Sequence, residues 1–290
     1  MKKIILIHAL TFIVLFTYGQ ELPVKMEEMT ALEFKDAIAM SSSTCIIPIG
    51  VLEKHGTHLP LGTDLLNVRE VVLRATQKEY SIVFAPYIFS QIFEAKHQPG
   101  TIAYSTRVIW DVLQETCEEL SRNGIKKIIL VNGHGGNNSF LPFFCNTQLS
   151  AKKDYAVILW TPSTSAEAKA KIDKLRKPGP DGHAGQGETS QIMAYRPDLV
   201  KHDKIGLQTG EDLKRLAGLQ GTTAIAWYSR FPNHYAGDAS TATKELGEAL
   251  LNEEAGQLAR FIKQIKENES ILKLQEMFYK DAENPLNTKQ

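Results

Sequence analysis

Residues 45–50 (CIIPIG), 81–89 (SIVFAPYIF), 127–131 (KIILV) and 156–160 (AVILW) are short apolar runs, and the stretches between them have helical composition. Apolar runs of this length suit buried strands, and their alternation with amphipathic helices predicts an α/β fold. The expected architecture is a three-layer α/β/α arrangement around a mainly parallel sheet. Helices are expected over 64–79, over 107–123 with Gly124 as the stop, and over 137–152. Residues 163–187, with Pro178, Gly179 and Pro180 among them, read as a loop. A long helix follows, with Leu251, Ala255, Leu258, Ile262 and Ile265 at helical spacing.

The first 19 residues do not share this pattern. Met1-Lys2-Lys3 precedes an apolar run from 4 to 16 and small residues at Thr17 and Gly19, which reads as a secretory signal cut near Gly19. As a helix the run would span about 20 Å, short of the roughly 30 Å hydrocarbon core, so no stable membrane insertion is expected after cleavage. The mature chain is then exported, periplasmic or secreted. Residues 20–280 read as one domain and 281–290 as a polar tail.

Charge and cysteines exclude several classes. The chain has 33 basic and 33 acidic residues, and loss of Lys2 and Lys3 leaves a formal charge of about −2. With no basic block to grip a phosphate backbone, nucleic acid is not an expected partner, and a small molecule or peptide is. Cys45, Cys117 and Cys145 lie in apolar stretches without CxxC spacing, so they read as buried free thiols rather than a disulfide framework or metal cluster.

The chemistry collects in loops. Glu53-Lys54-His55-Gly56-Thr57-His58-Leu59-Pro60-Leu61-Gly62-Thr63-Asp64 begins just past the first strand. Glu53 and His55, two apart on an extended chain, point the same way and could reach two ions about 3.5–4 Å apart, with Asp64 placed to bridge them. Asn132-Gly133-His134-Gly135-Gly136-Asn137 follows the third strand, so His134 is expected at the same sheet edge. Gly182-His183-Ala184-Gly185-Gln186-Gly187-Glu188-Thr189-Ser190 offers a carboxylate in Glu188 and a proton carrier in His183. His97-Gln98-Pro99-Gly100-Thr101 reads as a rigid turn that could line a pocket. Imidazole and carboxylate donors together suit zinc or manganese better than calcium, with iron also compatible.

Residues 53–64 resemble the creatininase-family signature E-x-H-G-x-H-L-P-x-x-T-D. NGHGGN, HQPGT and HAGQGETS resemble further motifs of that family, and Gly237-Asp238 with Ala242-Thr243 and Gly247 resembles another. The likeness implies a creatininase-like fold, with Glu53, Asp64 and His134 holding one ion and His55 with the bridging Asp64 holding the second. In creatininase proper the remaining ligand is a glutamate two residues after the NGH histidine. That position is Gly136 here, and the resemblance to HGGN-bearing members points to Glu188 instead. His183 matches the family's active-site histidine and Ser90 stands near an expected substrate-contacting serine, while His58 reads as a group orienting a ligand. Gly182 replaces an acid that precedes His183 in creatininase, so the likeness fixes bond type rather than substrate.

The function this implies is hydrolysis of a cyclic or linear amide C–N bond by a metal-activated water, in a homo-oligomer that the resemblance makes a hexamer. The alternative is an extracytoplasmic metal-binding protein that holds a small molecule without cleaving it.

Overall fold

The computed structural model describes residues 22–288; the proposed leader and the last two tail residues lie outside them. Strands β1 (Thr44–Ile49), β2 (Ile82–Val83), β3 (Lys127–Asn132) and β4 (Ala156–Leu159) form a parallel sheet in the order β2-β1-β3-β4. The expected parallel sheet with flanking helices is therefore present. β1 and β3 are central, and their near-continuous burial reflects a sheet covered on both faces.

Strand periodicity sorts side chains between two cores. Ile46, Val83, Ile129 and Val131 face one cluster, whereas Cys45, Ile47, Ile49, Ile82, Ile128 and Leu130 face the other. Helix α1 (Ala31–Met40) contributes Ala37 to the second cluster, and α2 (Thr63–Thr76) contributes Val68, Val71, Val72 and Ala75 to the first. Helices α3 (Thr106–Arg122) and α4 (Phe140–Thr147) cover the second face through Leu113, Cys117, Leu120, Leu141 and Phe144.

Beyond β4 come α5 (Ala166–Leu175), β5 (Asp181–His183), α6 (Gln186–Tyr195), α7 (Ala226–Arg230) and β6 (Ala236–Gly237). β5 and β6 pair antiparallel as a small second sheet. The chain closes with α8 (Lys244–Glu267), which packs along α2 and α6, and α9 (Ser270–Ala282). Leu258 of α8 is fully buried in the first cluster. Leu258→Ala is expected to cost about 2–5 kcal/mol, read as a lower denaturant midpoint at unchanged slope. A midpoint equal to that of the native chain would show that α8 does not hold this face.

Several expected elements differ in extent. The second run forms only Ile82–Val83 as strand, because Pro86 lacks a ladder donor; Tyr87 returns for an isolated bridge to Ile49. The helix expected over 137–152 is divided into a 3-10 turn at Gly135–Asn138, α4, and a second 3-10 turn at Gln148–Ser150. The stretch read as loop contains α5, whose Ser165 hydroxyl accepts from Ala168 N–H at 3.2 Å, and β5. Residues 281–288 begin as the end of α9 and continue into a 3-10 turn at Pro285–Asn287. Cys45 and Cys117 are buried free thiols; Cys145 is only half-buried.

Candidate metal centre

The central strands deliver the first donors. Glu53 and His55 follow β1, His134 follows β3, and Gly133 N–H donates to Ile49 C=O at 2.8 Å, clamping the two exits together. Asp64 stands in the first turn of α2. That turn lies so close to the β3 exit that a Cβ on Gly133 would meet Val68 Cβ at 2.7 Å and the Asp64 carbonyl at 2.8 Å. Glu188 occupies the first turn of α6, where its carboxylate accepts from Ala184 N–H at 2.6 Å. Ala184 adopts φ 54°, a left-handed conformation that turns this N–H toward Glu188.

The five predicted ligands meet in two sets that share Asp64. Glu53, Asp64 and His134 form one group, and His55, Asp64 and Glu188 another, each with donor atoms within 4.8 Å of one another. His134 Nδ1 stands 2.8 Å from Glu53 Oε1 and 3.0 Å from Asp64 Oδ2. His55 Nε2 stands 3.0 Å from Asp64 Oδ1 and 3.8 Å from Glu188 Oε2. The two oxygens of Asp64 thus face different histidines.

These residues fit metal ions better than they fit each other. Glu53 Oε1 and Asp64 Oδ2 are buried and accept no hydrogen bond, although His134 Nδ1 is beside both. Such atoms converge on a shared point, and ligands bonded to one ion at about 2.0–2.1 Å stand roughly 3 Å apart. His55 Nδ1–H donates to Glu53 C=O at 3.3 Å, which leaves Nε2 as the donor atom toward Asp64.

Charge within the centre follows its packing. Burial opposes charge on His55, yet Asp64 and then Glu188 raise its pKa to about 10. His134, also opposed by burial, is held well above the ordinary range by Asp64 and Glu53. Burial would raise Glu53, but His134 and His234 beside it hold its carboxyl well below the usual range. Burial lifts Glu188 to about 7 against the pull of His55; a third of its side-chain surface is open to the cavity while protein surrounds the rest.

His183 borders the same space. Its ring centroid lies 4.3 Å from that of His55, and its Nε2–H donates to Lys54 C=O at 2.9 Å, which leaves Nδ1 as the free basic atom. Burial and then the charge of His55 push its pKa down to about 4, so the ring is neutral. His58 is buried behind the centre and bonds Thr189 Oγ1 at 2.9 Å, bracing the start of α6.

The remaining two predicted residues lie apart from the donor atoms. Ser90 is buried and donates to Asn137 Oδ1 at 2.5 Å, shaping the loop that carries His134. His97 is exposed, and its Nε2–H donates to Pro232 C=O at 2.8 Å.

His234, Trp227 and Glu94 complete the walls without having been singled out in the sequence. A cavity of about 360 Å³ is lined by these three together with Glu53, His134 and His183. Trp227 Nε1–H donates to His234 Nδ1 at 2.9 Å, which commits His234 Nε2–H to Glu53 Oε2. Oε1 of Glu53 is thereby left for the centre. Glu94 Oε1 lies 3.8 Å from His134 Nε2, and Gln91 Nε2 donates to the other oxygen of Glu94 at 2.8 Å. A side chain at Gly136 would press on both Gln91 and Glu94, so the glycine opens the place they occupy. The signal for His234 was its position three residues before Gly237, where a motif already noted begins.

Loss of an outer partner of a ligand lowers metal affinity about 10–100-fold. His234→Ala is expected to weaken binding by that factor in competitive chelator titrations. An unchanged affinity would remove His234 from the support of Glu53.

The family model for creatinine amidohydrolase matches residues 27–262. The creatinine amidohydrolase of Pseudomonas putida is 27% identical over 192 residues, covering 61% of this chain and 74% of its own. The mycofactocin precursor peptide peptidase of Mycolicibacterium smegmatis is 27% identical over 215 residues, covering 72% and 79%. Solved creatininase structures in a manganese form and in a zinc–zinc form each share the fold at TM-score 0.70 and 21% identity, over 84% of this chain and 99% of theirs.

Proposed function

Because this chain belongs to the creatininase (creatinine amidohydrolase) family of amide-bond hydrolases, we propose that it is an exported amidohydrolase that works with two divalent ions, zinc or manganese. The observation that carries the two-ion reading is Asp64, whose oxygens Oδ1 and Oδ2 each serve a separate donor set. Glu53, Asp64 and His134 would hold one ion, and His55, Asp64 and Glu188 the other. Divalent ions in such a site lower the pKa of water toward about 7 and polarise a carbonyl oxygen.

The chain's own side chains supply the rest. His183, with Nε2–H committed to the Lys54 carbonyl and Nδ1 unengaged, is placed to carry a proton to the departing nitrogen. The Lys54 carbonyl holds the ring in that tautomer. Cavity walls built from Trp227 and buried imidazoles keep the reacting carbonyl away from bulk water. Export rests on the basic and apolar leader, and no helix among the described residues is long and apolar enough to cross a membrane. Assembly with further copies of the chain rests on the family likeness.

The test joins elemental analysis of the purified protein to a screen of lactams, formamides and short peptides for metal-dependent release of amine or acid. Two ions per chain with turnover that a chelator abolishes is the expected result. Two ions with a stoichiometric amide that is bound and never cleaved would favour the binding-protein alternative.

A further inference from the structure

A second cavity, of about 710 Å³, lies on the far side of Trp227. Trp227 and Gly182 line both it and the space over the donor atoms, so the two cavities adjoin through one indole and one residue without a side chain. Resting on the amidohydrolase reading, we propose that the outer cavity is the subsite for the rest of a linear, peptide-like amide whose scissile bond lies over the donor set.

Size, lining and connection support that class of substrate. The outer cavity falls within the roughly 300–1,000 Å³ range of sites that enclose a drug-sized ligand, and a small lactam held over the donor atoms would leave it empty. Phe231, Tyr235 and Trp227 supply an aromatic wall for a bulky apolar side chain. Gly182, Gly206, Gly210 and Gly237 bring bare main chain to the lining, the kind of surface that pairs with a run of peptide bonds. Gly210 sits so close to Gly237 that a Cβ there would collide with its backbone, which fixes this part of the lining in place. Arg230 pairs with Asp212 at 2.9 Å at the margin, leaving Lys214 to meet a polar end of the substrate.

The two cavities are also joined mechanically. Lys54 Nζ, from the loop between Glu53 and His55, donates to Gln208 Oε1 at 2.7 Å and to Asn233 C=O at 2.6 Å. The wall of the outer cavity is thereby tied to the loop that carries two ligands. Trp227 holds His234 at one edge and faces the outer cavity with the other.

The experiment measures kcat/KM of the metal-loaded protein on formamide, a five-membered lactam and N-acetylated di-, tri- and tetrapeptides with one phenylalanine or leucine. Equilibrium binding of the same peptides is measured in parallel. Thr209→Trp and, separately, Glu211→Trp fill the outer cavity from exposed positions that do not line the cavity over the donor atoms. The expected result is at least about a tenfold gain in kcat/KM from formamide to the tetrapeptide, lost in either tryptophan variant while formamide is cleaved as before. Small amides cleaved as well as peptides, or tryptophan variants with the native preference, would overturn the subsite and leave the hydrolase reading intact. If nothing is cleaved, the hydrolase reading fails and binding decides the subsite. Peptide affinity that rises with length and falls in the variants upholds it, and affinity that does neither removes it.

Discussion

Asp64→Ala should leave a folded protein that binds neither ion tightly and turns over at least about 10³-fold more slowly. Both donor sets use this one carboxylate, so its loss takes a ligand from each at once. The fold should survive because no buried charge is stranded. His55 and His134 owe their raised pKa values largely to Asp64 and can shed their protons when it is gone. The start of α2 also keeps a separate anchor, Thr63 Oγ1–H to Pro60 C=O at 2.7 Å. Ions present at 100 times their Kd stabilise a native protein by about 2.7 kcal/mol, so the gap in Tm between loaded and metal-free protein should vanish in the variant. Metal content, circular dichroism and thermal scans with and without chelator check this together. Two ions per chain and native turnover in the variant would end the bridging assignment.

The second large effect is expected at a residue that is not itself a ligand. Gly247 of α8 packs against α6 so closely that a Cβ would overlap the carbonyl group of Ser190. A backbone carbonyl cannot rotate aside as a long side chain can, so Gly247→Ala must push the two helices apart. Overpacking of this kind costs about 1–3 kcal/mol. Glu188 lies two residues before Ser190 on the same helix, so displacement moves the carboxylate of the second donor set only. Metal content should fall from two ions toward one, with a lower Tm and a large loss of activity. Glu248→Ala, which removes a half-buried partner of Arg74 next to Gly247, should change neither metal content nor activity. Native Tm with two ions in Gly247→Ala would show that α6 is positioned by other contacts.

What could be read from the chain alone follows the range of the interactions involved. Glu53, His55 and His134 sit at strand exits flanked by glycine and proline, and strand exits are visible as ends of apolar runs. Asp64 and Glu188 both stand in a first helical turn, another local feature. His234 is different. It meets Glu53 across 181 residues of sequence, from a segment with no helical or strand period, so only tertiary packing brings it there. The same holds for Trp227, in a five-residue helix too short to announce itself. His97 was expected at a pocket because its turn is rigid, and it is rigid because its imidazole is spent on the Pro232 carbonyl. Ser90 likewise spends its hydroxyl on Asn137. The helix at Ala31–Met40 was legible in principle, since Thr30 and Glu33 form a reciprocal capping box.

The donor atoms grow from a rigid sheet rim, whereas the outer walls come mostly from residues 205–238, where regular structure is sparse. Mutational drift therefore meets two very different tolerances in one protein. Changes at the rim would unmake the proposed metal centre, while exchanges at outer positions such as Thr209, away from the Trp227–His234 pair that holds Glu53, would reshape the outer cavity and leave the donor set in place. On the proposed subsite, a lineage built this way would trade one amide for another in a few steps, and a protein engineer seeking new selectivity should leave the floor and Trp227 alone and randomise the rest of the wall.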